Sequence, residues 1–262
     1  ARLRHPVIRA FAPAAIGIPS IALTAYDAPG APTREQLVSA LDPTPLERNM
    51  LLAAIAVWYL ANFEDANITP LVATVYQRSQ ARLAHTLQAA FAAIIRDGNT
   101  GYSRAEILIE ESILRETETL RSIGFLATNP EALEVIDDFA NKFRDDEKSA
   151  MNRIKLLFSS LYQRRPPKAQ IGQQEKMALR LVPRNNSDLP TYLSRNRTAA
   201  ADEFVYAQQE ILNYVNGQRS LYEIYRAVLA ESILAGESGN QLTLEHVTAI
   251  INKAVKDGLL AY

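Results

Sequence analysis

The residues that could carry metal chemistry in this sequence are few. It contains no cysteine and only three histidines, His5, His85 and His246. His85 lies in a predicted helix, with Arg82 three positions before it where di-iron helical bundles place a glutamate. We therefore expect His85 to be a packed or surface histidine, and predict no metal ligands in this chain. Without cysteine, disulfides and thiolate sites are excluded.

Carboxylates that could act as ligands or as acids and bases crowd one predicted helix. Arginines alternate with them, which is the pattern of a solvated helix surface. The glutamates are Glu106, Glu110, Glu111, Glu116 and Glu118, and the arginines are Arg104, Arg115 and Arg121. No phosphate-binding loop, nucleophile elbow or His-Glu-x-x-His motif accompanies them. The residues therefore predict neither a catalytic nor a cofactor-binding site.

A second acidic group, Asp145, Asp146 and Glu147, interrupts the longest apolar helical stripe in the chain. That stripe predicts a helix over Asn129–Leu161, with Asn129 as its cap and Pro130 in its first turn. At 1.5 Å per residue the helix would span roughly 50 Å, which suits a scaffold or spacer. We name the three acidic residues as candidate partner-binding residues.

The elements around this helix predict a mainly α fold with an up-down helical bundle over residues 44–165. Three earlier helices are indicated, from Thr44 to about Phe63, from Thr69 to about Arg96, and from a capping box at Ser103 to about Gly124. Short connections between long helices favour antiparallel neighbours, so we predict a four-helix bundle. In the second helix, the residues expected to face inward are Leu83, Leu87, Phe91, Ile94 and Ile95.

Residues 1–43 predict a short β segment instead. The best strand candidates are residues 7–11 and 20–24, and a breaker-rich loop follows at residues 27–32. Two strands alone do not form a stable sheet. We expect them to pair against the helices or to be the edge of a sheet that this chain lacks.

Residues 166–198 predict a basic linker, with six basic residues against two acidic ones. Ala178–Val182 could be an edge strand within it. Residues 199–262 predict a small unit of three short helices and a final strand, as in a helix-turn-helix or winged-helix domain. Residues 201–262 contain four basic and eight acidic residues, so the unit favours a protein partner over the phosphates of DNA.

The whole chain has 262 residues and a net charge of −1, and no apolar run approaches the ~20 residues of a membrane span. The near-neutral charge excludes a global basic field for nucleic acid. The first residue is Ala1 rather than Met, so we expect a mature chain cut from a precursor, or an expressed piece of one. The compartment stays open, since a soluble cytoplasmic protein and one secreted after processing both fit.

Both ends of the chain resemble a known family. Gly17–Thr24, followed by a loop and by Leu41-Asp42-Pro43, resembles the last core strand and closing helix of co-catalytic di-zinc aminopeptidases of the bacterial leucyl aminopeptidase type. Ile211–Ile224 is similar to the small winged-helix-like unit that follows the catalytic domain in larger members. It is also similar to the small peptide-binding domains of peptide-modifying systems, which share an Asn/Asp-Gly-x-Arg-Ser/Thr turn.

This resemblance implies ancestry without the family's chemistry. The loop after the family's last strand carries a zinc-ligand histidine, and Ala28–Ser39 contains none. The other zinc ligands would lie before Ala1, so zinc would be present only if a missing N-terminal catalytic domain supplied them. The turn at the other end adds Arg219 and Tyr222 to the candidate partner-binding residues.

We therefore predict a non-catalytic helical scaffold and protein-interaction region of an aminopeptidase-like protein. Its partner would be the missing N-terminal domain, a second copy of the chain, or a larger assembly. An alternative is the C-terminal piece of a processed, active zinc metallopeptidase. A second alternative is a helix-turn-helix regulator that binds nucleic acid, for which the basic linker is the supporting feature.

Overall fold

The structure is a computed structural model, and it describes residues 43–167, 171–186, 210–235 and 242–262. The chain divides into two units, Ala1–Asn67 and Ile68–Tyr262. In the first unit, helix α1 covers Pro43–Ala61 and a single 3-10 turn covers Asp65–Asn67. The predicted strands at residues 7–11 and 20–24, and the Gly17–Thr24 resemblance, lie outside the described residues.

The second unit is built on two long helical elements. Helix α2 covers Ile68–Arg121 and α3 covers Pro130–Tyr162, with a 3-10 turn over Ser122–Leu126 between them. Gly98, with φ 57° and ψ −119°, reverses the chain inside α2. This backbone conformation is open to glycine, which has no Cβ. Residues 68–97 and 99–121 therefore form two arms of a helical hairpin.

The hairpin and α3 form a bundle of three helices. The arms run antiparallel, because Ser79 contacts Glu116 while Thr86 contacts Ser112. Helix α3 lies against both arms. It runs antiparallel to the second arm, where the rings of Tyr102 and Phe158 are 5.2 Å apart, and parallel to the first. The mainly α bundle is confirmed. The second unit contains three bundle helices, and α1, which the four-helix prediction also included, belongs to the first unit.

The helix starts show which local signals were right. Asn129 caps α3, with its Oδ1 accepting from the Ala132 amide at 2.8 Å. The predicted capping box at Ser103 is wrong, because the helix resumes directly after Gly98 and the Ser103 hydroxyl donates to the Asn99 carbonyl within it. Ile95, predicted to face inward, is exposed, whereas its neighbour Ile94 is fully buried.

The C-terminal part contains short elements. They are α4 (Gln173–Ala178), β1 (Arg184–Asn185), α5 (Leu221–Leu234), α6 (Leu244–Lys256) and β2 (Leu260–Ala261). Strands β1 and β2 pair antiparallel, with Arg184 opposite Ala261. The predicted strand at Ala178–Val182 is wrong, since those residues end α4 and form a turn. The caps at Ser220 and Thr243 are confirmed.

A shared apolar core holds this part together. Its fully buried members are Ile211, Leu221, Ile224, Val247 and Ile251. Residues 210–213 are helical, and the remainder of the predicted helix over 199–216 lies outside the described residues. Helix α5 also packs along the second arm of α2, so this core and the bundle meet.

Candidate functional site

A cleft of about 350 Å³ lies where α5 meets the second arm of α2. A volume of this size is at the lower end of the range for small-ligand sites. From α2 the lining residues are Glu111, Ser112, Arg115, Glu118, Thr119 and Ser122, and from the C-terminal part they are Tyr214, Arg219, Ala227, Ala230 and Glu231. The cleft thus combines charged side chains and hydroxyls with a floor of small apolar residues.

The turn before α5 presents Arg219 to this cleft. The Asn216 Oδ1 accepts from the amides of Gln218 and Arg219, both at 2.9 Å, and Gly217 supplies a φ of 75°. On the other side, the Ser220 hydroxyl caps α5 and the Glu223 carboxylate accepts from the Ser220 amide at 2.7 Å. Because its hydrogen-bonding groups are satisfied on both sides, the turn is a rigid support.

The Arg219 guanidinium lies over the Tyr214 ring, with its Cζ 4.9 Å from the ring centroid. The Tyr214 hydroxyl donates to the Glu231 Oε1 at 2.7 Å. Burial, followed by the bond to Glu231, raises the Tyr214 pKa, so the hydroxyl remains a donor over the physiological pH range. The stacked cation and the fixed ring hold each other in one arrangement.

The carboxylates of the cleft already have partners. Glu118 pairs with Arg121 at 3.2 Å, Glu231 accepts from Tyr214, and Glu111 lies beside Arg226. The Arg219 guanidinium, in contrast, donates to no carboxylate within the part of the chain that the structure describes. The other arginine of the cleft, Arg115, pairs with Glu116 at 3.1 Å. Arg219 acts on the Glu111 carboxylate electrostatically but without a hydrogen bond, so its N–H donors are left for a ligand.

Arg226 joins α5 to the second arm of α2. Its Nη2 donates to the Glu110 carboxylate, and its Nε lies 3.2 Å from the Glu111 Oε1, in an orientation that makes an ion pair but no hydrogen bond. Burial raises the Glu111 pKa, although Arg226 and Arg219 oppose the shift. The Glu111 carboxylate thus depends on Arg226 to remain charged at this interface.

We expect Arg226→Ala to destabilise the second unit by about 2–3 kcal/mol, because it leaves Glu111 largely buried without its nearest cation. The Glu111 pKa should rise further, and the α5 amides should exchange faster. Urea unfolding, an NMR titration and hydrogen exchange measure the three effects. Arg78→Ala, at an exposed position on the first arm, is the control and should leave all three unchanged. Unaltered α5 exchange in Arg226→Ala would contradict this role.

The predicted position of Glu116 on a solvated helix surface is wrong. Glu116 is fully buried between the arms of the hairpin. Its carboxylate accepts from the Ser79 hydroxyl at 2.7 Å, from the Arg82 Nε at 2.9 Å and from the Arg115 Nη2 at 3.1 Å. Burial alone would raise the Glu116 pKa, but the bonds from Arg82 and Ser79 outweigh it and lower the pKa. This cluster stabilises the bundle.

The predicted acidic surface on α3 is only partly exposed. Asp145 is exposed and pairs with Lys148 at 3.2 Å, and Glu147 is partly buried. Asp146 turns towards the first arm of α2, where it accepts from the Gln80 Nε2 at 2.6 Å. It lines a second, smaller cleft of about 150 Å³. Asp146 therefore contributes to bundle packing, and Asp145 is the member of this group that is open to a partner.

The structure does not bring the five predicted partner-binding residues together. Asp146 and Arg219 line different clefts, and the α2 residues of these clefts, such as Ile109 and Glu111, lie on opposite sides of the helix. Tyr222 is half-buried in α5, beside the Tyr225 ring, and is not among the residues lining either cleft. Burial raises the Tyr222 pKa. Sequence reasoning named Arg219 but missed Tyr214 and Glu231, which fix it.

No group of three or more His, Asp or Glu side chains is placed to hold a metal ion among the residues described. His85 is exposed on the first arm of α2. Among the described residues, no helix is both long enough and apolar enough to span a bilayer.

Helix α1 exposes an unusually large amount of apolar surface. Val57 and Trp58 are each 68% exposed. The exposed large apolar side chains of α1, of which Tyr59 is the least exposed at 39%, are Met50, Leu51, Leu52, Ile55, Val57, Trp58, Tyr59 and Leu60. Single exposed apolar residues are ordinary in proteins, whereas a group of this size on one helix is unusual.

Comparison of the chain with protein-family models, with curated proteins and with solved structures finds no match.

Proposed function

We propose that this chain is a non-catalytic helical scaffold and protein-interaction region that works within a larger assembly. The observation that carries the proposal is the exposed apolar surface of α1. Exposed surface of this kind is stabilised when another polypeptide removes it from water, at roughly 25 cal/mol per Å².

The distribution of the apolar residues indicates the shape of the partner. Four of them fall about a quarter turn apart and cover every side of the helix: Met50, Leu51, Leu52 and Leu60. A flat partner would cover one side and leave the others in water. The proposed partner therefore encloses α1, as a groove or a group of helices does. A second copy of the chain, a catalytic domain or another member of an assembly could provide one.

The wider context of the proposal comes from the resemblance of the two ends of the chain to di-zinc aminopeptidases. The helices α5 and α6, followed by the paired strand β2, support a winged-helix-like unit at the C-terminal end. We propose that this unit also contacts protein, since residues 201–262 carry more acidic than basic residues.

Self-association gives the first test. We expect the chain to form a concentration-dependent assembly, and Val57→Glu to weaken it at least about tenfold, because an unpaired carboxylate would be buried. Light scattering over a dilution series measures both. Leu156→Glu is the matched control, since Leu156 is 69% exposed but lies on α3.

Two results would count against the proposal. A wild-type chain that is a monomer at every concentration would exclude a second copy as the partner. An assembly that Val57→Glu leaves intact, or that Leu156→Glu weakens equally, would show that α1 is not the surface that associates.

A further inference from the structure

Arg219 combines three properties that favour the binding of an anion. Its backbone lies in a turn fixed by the Asn216 side chain and by the cap at Ser220. Its guanidinium is stacked on Tyr214. Among the described residues, no carboxylate accepts a hydrogen bond from that guanidinium. The side-chain entropy that binding would otherwise cost has thus largely been lost already.

We propose that the cleft between α5 and the second arm of α2 binds a short acidic peptide segment, with a carboxylate of the peptide on Arg219. A guanidinium offers two parallel N–H donors, which match the two oxygens of a carboxylate. Because Tyr214 covers one face of the guanidinium, the carboxylate approaches along its edge.

The other charges of the cleft favour a carboxylate over a phosphate. Besides Arg115, which pairs with Glu116, the carboxylates of Glu111, Glu118 and Glu231 line the same space. They repel a doubly charged phosphate more strongly than a singly charged carboxylate. Their oxygens can also accept hydrogen bonds from peptide N–H groups, which a phosphate ion does not have.

The remaining lining suits a peptide with small apolar side chains next to its acidic one. Ala227 and Ala230 form an apolar floor, and Thr119 adds a hydroxyl at the exposed side. A cleft of about 350 Å³ takes a short stretch of chain and not a folded domain. This binding goes beyond the proposed association through α1 and does not depend on it.

The test uses the full chain and four probes. Two probes are capped tetrapeptides of alanine that contain one acidic residue, either aspartate or glutamate. The third is the aspartate peptide with asparagine in place of the aspartate, and the fourth is inorganic phosphate. NMR titration detects weak binding and locates it. We expect saturable shifts at Arg219, Ala230 and Glu231 with an acidic peptide, and at least about tenfold weaker binding of the asparagine peptide.

Substitutions in the cleft test whether Arg219 binds the acidic peptide. Arg219→Ala should weaken acidic-peptide binding at least about tenfold, and Arg219→Lys should retain part of it, since lysine keeps the charge but loses the paired donors. Arg144→Ala, an exposed arginine on α3, is the control and should bind as wild type does. Thr119→Phe narrows the cleft while keeping Arg219, and it should also weaken peptide binding. This variant tests the cleft even if Arg219→Ala does not fold.

Three outcomes would overturn the proposal. The acidic peptides could produce no saturable shifts at the cleft. Their binding could be unchanged in both Arg219→Ala and Thr119→Phe. Phosphate could bind as tightly as the acidic peptides. Since Val57→Glu alters α1 alone, peptide binding that persists in this variant separates the cleft from the proposed association.

Discussion

Gly101→Ala should unfold the helical hairpin or destabilise it by about 4 kcal/mol or more. A Cβ at this position would lie 2.0 Å from the Ala93 carbonyl oxygen and 2.6 Å from the Ala93 carbonyl carbon. Both are backbone atoms, so no side chain can rotate away to relieve the contact. The two arms would have to separate, and effects of this size belong to such forced overpacking.

The surroundings of Gly101 make separation costly. Ile94 and Tyr102 are buried beside it, and the Tyr162 hydroxyl of α3 donates to the Ile94 carbonyl at 3.0 Å. Moving the arms apart at this end would expose these residues and break the bond to α3. Helix α3 should therefore lose stability together with the hairpin.

Gly124→Ala is the matched control. Its Cβ would meet the flexible Leu133 Cδ2 at 3.4 Å and no backbone atom within 4 Å. We expect a change within about 1 kcal/mol, measured by urea unfolding followed by circular dichroism. A Gly101→Ala variant as stable as Gly124→Ala would show that the arms do not approach as closely as described.

We expect Arg82→Ala to be the second strongly destabilising substitution. Glu116 has a side chain only 1% exposed, and Arg82 provides two of its charge-assisted contacts. Breaking a fully buried pair costs about 3–5 kcal/mol. The Arg82 side chain is 44% exposed, so we expect about 2–3 kcal/mol after allowing for solvent screening.

Arg82→Ala and Glu116→Gln should lower the free energy of unfolding by different amounts. Glu116→Gln leaves two arginines that water can reach, because the Arg82 and Arg115 side chains are 44% and 38% exposed. Arg82→Ala leaves a buried carboxylate that water cannot reach. Arg82→Ala should therefore cost more than Glu116→Gln, and adding Glu116→Gln to Arg82→Ala should restore stability in part. Equal costs for the two single variants would contradict the buried charge.

The buried Glu116 carboxylate should also make the free energy of unfolding depend on pH. The Glu116 pKa is lower in the folded chain than its ordinary value of 4.5. The stability it contributes is present above that ordinary value and is lost as pH falls through the lowered one. Urea unfolding of wild type and Glu116→Gln between neutral and acidic pH should therefore converge at low pH. Parallel curves throughout would show that Glu116 does not titrate with a lowered pKa.

Local signals in the sequence located most helices, because caps act through the residues beside them. Asn129, Ser220 and Thr243 each cap a helix in the structure as predicted. Ser103 has the same kind of motif, but it follows Gly98 too closely. A capping motif does not show whether the helix has already begun one turn earlier.

The sequence could not reveal which charges are buried. Glu116 and Glu118 lie in the same run of glutamates and arginines, yet Glu116 faces Arg82 on the other arm and Glu118 faces solvent. Only the closing of the hairpin at Gly98 brings Arg82 and Glu116 together. The cleft around Arg219 depends on packing in the same way, since its lining combines α2 and the C-terminal part.

The single tryptophan of the chain provides the most direct test of the central proposal. Trp58 lies on α1 and is 68% exposed, so its emission reports whether another polypeptide covers this helix. Over a dilution series followed also by light scattering, we expect blue-shifted, quencher-protected emission in the assembly, and red-shifted, quenchable emission as the mass falls to one chain. A single chain whose Trp58 is already protected at the lowest concentration would contradict the proposal, because α1 would then be covered by its own chain.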